Sequence, residues 1–345
     1  MPANQSRRRP APIFIVGPSR SGTSMLREIF NRHPELWITR ETHYFDDLRR
    51  RSADRPEVED YFLTVGTLAY GAETSAADAG DEARLELRTA AGELGGTPDA
   101  YFEAFCRGRA RRQGRARWGE KTPRHVFRIA EMLDVFPDAR VICMSRDPRA
   151  VVASYRDWTR RPELSPDVES PFAGDRRRAR SSYGLLLSCL MCKSALVAGV
   201  RAAMRYGEAS VRVVRFETLV RGPRETLGDL CEWLELPFDE RMLDVPIVQS
   251  SYASGEARGI STEPLERWRD ALTETEIRTI EAACGDVMRR LGYDRATTGR
   301  ARPALMRAVA LLPLDVVRAA HANRGRMGSP LSYVWRRLSL SVGLR

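Results

Sequence analysis

Apolar positions fall into short runs separated by glycine, proline or charge, and the order of those runs is the first guide to the fold. Ile13–Val16 are four consecutive β-favouring residues that run into a glycine-containing turn. Beyond the turn Met25, Leu26, Ile29 and Phe30 recur at helical spacing, so the order is strand, loop, helix. The unit returns at Arg140–Ser145, closed by Arg146-Asp147-Pro148 and followed by Ala150, Val151, Ser154 and Tyr155 on a helix. It returns again at 211–216, ending at Glu217, with Leu227, Leu230, Cys231 and Leu234 marking the next helix. A shorter strand is read at Leu36-Trp37-Ile38, after the stop enforced by His33-Pro34. Repeated strand–helix units predict an α/β fold, three layers α/β/α around a central parallel sheet.

Residues 47–70 read as one or two amphipathic helices, and 71–100, rich in alanine, glycine and acid, as a variable cap segment. The run from Trp118 to Pro123 reads as a turn that carries Lys121, with a helix from Pro123 onward. Four structure breakers and three consecutive arginines make 160–182 an exposed loop. Residues 183–206 are apolar enough to resemble a membrane span. Lys193 near the centre would cost ~3 kcal/mol there, so a buried helix is expected. A last helix starts at Thr273, buries Ile277, Ile280, Val287 and Leu291, and stops at Gly292. The expected organisation is a loose basic tail over 1–11, one catalytic-size domain over 12–299, and a basic amphipathic extension over 300–345. Two readings of that extension stay open: a packing or homodimerisation helix, or a peripheral membrane contact.

Composition narrows the partners. The 345 residues are 43% hydrophobic, enough for a substantial core, and carry a formal net charge of +10. Only Lys121 and Lys193 are lysines; the remaining cations are arginines, suited to bidentate contacts with phosphate or sulfate. A general preference for arginine in the source genome would give the same count. The charge favours anionic partners, but nucleic acid is the weakest of them, since no reader helix, zinc knuckle or aromatic-interleaved basic strand is visible. Five of the six cysteines lie in apolar or helical stretches, and the sole C-x2-C pair, Cys189 and Cys192, has no second pair near it. Buried thiols in a reducing cytoplasm are expected, and no metal site. The first eleven residues lack the apolar core of a signal peptide.

The candidate chemistry begins with Gly17, Pro18, Ser19, Arg20, Ser21, Gly22, Thr23 and Ser24. At a strand–helix junction the first N–H groups of the helix have no partner within it and form a seat for an anion. The spacing nearly matches the P-loop of nucleotide hydrolases, but Thr23 stands where the lysine should be and the positive charge sits at Arg20. No apolar strand ending in a magnesium-binding aspartate is evident. The plain alternative is a glycine turn that only joins strand to helix. Glu41 and His43 follow the second strand, and Arg146 with Ser154 follow the strand over 140–145. In a doubly wound sheet such strand ends converge on one edge. Taken alone, Ser154 is as easily a small residue for helix packing, and His43 a satisfied group in a pocket wall.

These residues together resemble the sulfotransferases that use 3′-phosphoadenosine 5′-phosphosulfate (PAPS), closest to the tyrosylprotein enzymes and their bacterial relatives, with the heparan-type enzymes further off. The resemblance spans residues 13 to about 294 and implies a P-loop-like fold. It implies that residues 17–24 form the 5′-phosphosulfate loop and that Arg146 and Ser154 bind the 3′-phosphate. Arg20 to Thr23, His33-Pro34 and Glu41 follow the family's order, placing Glu41 at the catalytic glutamate; Lys121-Thr122-Pro123 resembles a lysine turn, and 215–219 a strand end of bacterial members. Two departures stand out: Phe216 replaces a usual tyrosine, and the Lys-Gly-x-x-Gly loop is missing, with Arg258 and Gly259 in its place. The residues after 300 have no counterpart.

A sulfuryl transfer needs a base for the acceptor proton and positive charge for the leaving phosphate. Glu41 is the candidate base with His43 as alternative or helper, and Arg20, Lys121 and the loop N–H groups the charge stabilisers. The competing readings are a P-loop phosphotransferase and a non-catalytic nucleotide-binding module. A cytoplasmic enzyme, membrane-peripheral if the tail binds lipid, is the expectation. The acceptor, a hydroxyl or amine on a carbohydrate, lipid, small molecule or peptide, has no readable code.

Overall fold

Alternation within Ile13–Val16 decides the layering. All four side chains are buried, with Phe14 and Val16 in one apolar core and Ile13 and Ile15 in another. Arg140–Ser145 does the same, sending Val141 and Cys143 to the first core and Ile142 and Met144 to the second. Strands buried on both faces require helices on both sides, the three-layer arrangement expected from the sequence. The computed structural model describes residues 11–49, 55–68, 80–160, 180–181, 183–245, 259–298 and 302–322.

The chain opens with β1 (Ile13–Val16), α1 (Thr23–Asn31) and β2 (Leu36–Thr39), followed by a wide turn, Tyr44–Leu48. Three helices follow, α2 (Arg55–Leu68), α3 (Gly80–Glu93) and α4 (Pro98–Arg112), before β3 (Arg117–Lys121). After a 3-10 turn at Pro123–Phe127 come α5 (Ile129–Val135), β4 (Arg140–Ser145), α6 (Pro148–Arg160), α7 (Leu185–Tyr206) and β5 (Val211–Arg215). The described part ends with α8 (Phe216–Arg221), α9 (Pro223–Trp233), α10 (Glu274–Arg290) and α11 (Arg302–Ala322). The sheet order is β2-β3-β1-β4-β5 and every neighbour pair is parallel. The chain leaves β1 toward β2 and later resumes on its other side at β4, so the carboxyl ends of the strands open around β1.

Three differences from the sequence reading have physical causes. The lysine-bearing stretch expected as a turn is strand β3, wedged between β1 and β2. Its Arg, Glu and Lys hide the strand pattern, but each charge is matched: Arg117 donates to Leu234 O, Glu120 accepts from Thr42, and Lys121 pairs with Glu41. Trp118 then packs edge-on against Phe14, 6.1 Å between ring centres. Residues 80–100, expected as a cap segment, are largely helical, and Leu87 and Ala91 reach the core beside Phe62 and Phe102; residues 71–79 lie outside the described residues. Among the described residues of 47–70, α2 agrees with the helix expected there. Phe216 opens a helix instead of closing β5.

Helix α7 is long and apolar enough to cross a membrane by length and composition. It nevertheless buries Leu186, Cys189, Cys192, Ala195 and Leu196, and Lys193 pairs with Asp286 at 2.8 Å. Thr273 caps α10 with a reciprocal Glu276 contact, the start expected from sequence. All six cysteines are free and buried. Most of the expected 160–182 loop, like residues 1–10, lies outside the described residues.

Candidate functional site

The loop after β1 is shaped by two glycines. Gly17 has φ of 141° and Gly22 has φ of 92°. A Cβ on Gly17 would lie 2.4 Å from Met144 O, and one on Gly22 2.4 Å from the Phe216 ring. Neither position accepts a larger residue, so the loop holds one tight path into α1. Gly22 caps α1 without a side-chain hydrogen bond, leaving its first-turn N–H groups facing the loop. Ser21 Oγ donates to Pro18 O at 2.7 Å and Gly17 N to Pro123 O at 3.1 Å, which fix the loop on both flanks.

Arg20 and Ser154, far apart in sequence, meet at this loop. Arg20 takes up a left-handed conformation, φ 69°, and its Nε donates to Ser154 Oγ at 3.1 Å. Arg146 braces the same turn: one guanidinium nitrogen donates to Arg20 O at 3.1 Å and the other to Pro264 O at 3.0 Å. Its guanidinium also lies over the Phe216 ring, 4.3 Å from the centre. Phe216, which replaces the family's tyrosine, therefore serves as an apolar platform between Gly22 and Arg146. Gly259 is held by a bond from its N–H to Val245 O at 2.7 Å; Arg258 lies outside the described residues.

The second wall comes from β2 and β3. Lys121 Nζ lies 2.5 Å from Glu41 Oε1 and donates to Ser24 Oγ at 3.3 Å. One buried ammonium thus links the anion loop to the carboxylate. His43, in a left-handed conformation with φ 52°, places Nε2 3.5 Å from Glu41 Oε2 and donates through Nδ1 to Asp46 at 3.1 Å. Non-glycine residues held this way cluster at functional sites. The Glu41 side chain stays 36% exposed. Burial raises its carboxyl, but Lys121 and His43 outweigh burial and hold it well below the usual carboxylate range. Burial lowers the His43 imidazole, while Asp46 and Glu41 lift it to about 10. At neutral pH the wall presents a carboxylate flanked by two cations.

Beneath it lies a layer that sequence reasoning missed. Glu120, fully buried, accepts from Thr42 N at 3.0 Å, from Thr42 Oγ1 at 2.9 Å and from Thr122 Oγ1. Its other oxygen accepts from His125 Nδ1 at 3.1 Å, while Phe45 N donates to His125 Nε2 at 3.2 Å. Asp46 Oδ1 lies 3.5 Å from the same Nε2; burial lowers the His125 imidazole, but Glu120 and Asp46 outweigh burial and raise it above its ordinary value. The effect is to clamp Thr42, and with it the Glu41 and His43 side chains on either side. The available signal was Glu120-Lys121-Thr122-Pro123 itself, a carboxylate, an ammonium and a hydroxyl in a row after Trp118-Gly119.

Contacts thus link Arg20 with Ser154 and Arg146, Lys121 with Ser24 and Glu41, and Glu41 with His43. The cradle suits an anionic group: a glycine-shaped loop, a helix N-terminus with no side-chain cap, Arg20 in the loop and Lys121 in contact with Ser24.

Comparison with known proteins bears on the same residues. A sulfotransferase family profile matches residues 12–240. The chain is similar to protein-tyrosine sulfotransferase A of Caenorhabditis elegans, 22% identical over 294 residues, 82% of this chain and 67% of that protein. Nodulation protein NoeE of Sinorhizobium fredii is 25% identical over 321 residues, covering 83% and 67%. Human carbohydrate sulfotransferase 3 is 28% identical over 173 residues, 46% of this chain, and the match spans only 34% of that enzyme. Among solved structures, the sulfotransferase domain from the curacin biosynthetic pathway superposes with a TM-score of 0.52 at 16% identity, over 83% of this chain and 98% of that domain. That likeness shows a shared fold. Because the matched profile takes in the loop, both walls of the opening and all five strands, the chain belongs to the sulfotransferase family.

Proposed function

We propose that this chain transfers a sulfuryl group from PAPS to a hydroxyl or amine of its acceptor, with Glu41 as the general base. The observation that carries the reading is the position of Lys121, which touches Ser24 in the anion loop and Glu41 in the facing wall. A cation there joins the site of the leaving phosphate to the base in one constellation.

In such a transfer the bond from sulfur to the donor phosphate oxygen breaks, a bond from sulfur to the acceptor oxygen or nitrogen forms, and the acceptor proton goes to Glu41. The N–H groups of residues 20–24 and the Arg20 guanidinium hold the oxygens where charge grows. Arg146 and Ser154 sit against Arg20 and supply further donors for the nucleotide's phosphate. An anion in the loop competes with Glu41 for the Lys121 ammonium. Drawing that ammonium away relieves the pull that holds the Glu41 pKa low, so the base strengthens when the loop is filled. His43 carries its proton up to about 10; it is a cationic helper that orients Glu41, not the base. A P-loop phosphotransferase fits less well, since Thr23 stands where a phosphate-binding lysine belongs.

Thermal shift with adenosine 3′,5′-bisphosphate, against ATP with magnesium, tests the nucleotide. Transfer of labelled sulfate from PAPS across glycans, lipids, phenols and peptides then tests turnover and identifies the acceptor. Stabilisation by the bisphosphate and sulfate transfer to one class are expected. Preference for ATP with magnesium, or binding without transfer to any acceptor, would overturn the proposal.

A further inference from the structure

Helix α11 shows the world an unusual face. Leu305, Ala308 and Leu312 pack against the α7 and α10 core, and Ala319 and Ala320 close over Leu187. Asp315, the only acid after residue 300, turns inward toward Gly184 and pairs with Arg318 at 3.7 Å. The outer face is left apolar: Met306 is 71% exposed, Val317 64%, Leu314 56% and Val309 52%. At helical spacing these form one continuous stripe, with Arg307 and Arg318 exposed along its flank. An amphipathic surface helix normally points such a stripe at the core; here it points away from it.

Charge is concentrated in the same segment. Residues 300–345 hold nine arginines against one aspartate, a net of +8 out of the chain's +10, and the remaining 299 residues are nearly neutral. Five of those arginines lie beyond α11, in a stretch with Tyr333, Trp335 and several leucines and no acid.

We infer that the exposed face of α11 docks this protein on an anionic lipid bilayer. An exposed apolar stripe flanked by arginine and free of acid matches the boundary between acyl chains and negative headgroups. The charge complementarity favours that occupant over a second copy of this chain, whose identical +8 segment would repel it. The interaction is expected to need both parts, the apolar stripe for insertion and the arginines for attraction within a Debye length.

The test is sedimentation of the full chain with vesicles of phosphatidylcholine alone and of phosphatidylcholine with phosphatidylglycerol. Binding to the anionic vesicles only, weakened by salt, is expected. A Met306→Gln, Leu314→Gln, Val317→Gln variant should lose about tenfold or more in partitioning while keeping its Tm and its response to adenosine 3′,5′-bisphosphate. Arg307→Gln with Arg318→Gln should lose less, chiefly the preference for anionic lipid. Three results would overturn the inference: no sedimentation with anionic vesicles, equal partitioning of the triple variant, or a wild-type dimer that the triple variant converts to monomer without any lipid binding.

Discussion

Replacing Lys121 with Met removes a cation that touches both the anion loop and Glu41, and its two consequences can be worked from the structure. The first concerns the carboxylate. Two unit charges at 4 Å attract by roughly 4 kcal/mol at an effective dielectric of 20, and here the atoms are 2.5 Å apart. Glu41 is 36% exposed, however, and solvent screening reduces such pairs to about 1 kcal/mol. At about 1.4 kcal/mol per pKa unit the carboxyl should rise by about one unit or less. Glu41 is held below its ordinary 4.5 in the folded chain, so its pairing stabilises the fold above that value and is lost as pH falls. The variant should therefore move the acid limb of kcat/KM upward and be less sensitive to acid unfolding. The second consequence concerns growing charge on the leaving group. Loss of one such stabilising donor costs about 10²- to 10³-fold in kcat. Both effects are read from initial rates of labelled sulfate transfer across the acid range, with nucleotide affinity measured in parallel. A folded variant with near-normal kcat and an unmoved acid limb would refute the bridging role.

Gly17→Ala should be destabilising by about 1–3 kcal/mol from backbone strain alone, because its Cβ would sit 2.4 Å from Met144 O; a thermal scan checks it, and an unchanged Tm would mean the loop has room. Arg146→Ala should weaken nucleotide binding more than it slows turnover, and the variant should bind adenosine nucleotides with and without a 3′-phosphate equally; retained discrimination would remove Arg146 from that role. Glu120→Gln leaves the volume unchanged but weakens the grip on Thr42 and on the His125 N–H. It should lower kcat by about tenfold or more through misplaced Glu41 while nucleotide affinity holds, and Glu120→Asp should restore only part of it; loss of affinity and rate together would indicate a merely structural residue.

Legibility in the sequence followed local chemistry. β1, α1, β4 and the capped α10 were readable because apolar periodicity and turn residues agree within a few positions. The positions of Gly17, Arg20, Glu41, His43 and Arg146 followed from the strand ends and that of Ser154 from the helix after β4, whereas their roles came only with the family resemblance. β3 was not, because its charges are neutralised by partners distant in sequence, Leu234 O for Arg117 and Thr42 for Glu120. Propensity cannot see such partners. Helix α3 hid behind its alanine and acid content, with only Leu87 and Ala91 fully committed to the core. The contact between Arg20 and Ser154 could be anticipated from topology, whereas the clamp of Glu120 on Thr42 needed the register of β3 against β2.

The central claim is that Glu41 accepts the acceptor's proton, and Glu41→Gln isolates it. Glutamine keeps the shape and the hydrogen-bonding reach but cannot take the proton. With donor and the identified acceptor both saturating, single-turnover transfer of labelled sulfate should fall by about 10²- to 10⁴-fold, while the affinity for adenosine 3′,5′-bisphosphate stays within error of wild type. A Glu41→Gln protein that transfers sulfate at the wild-type rate would contradict the account.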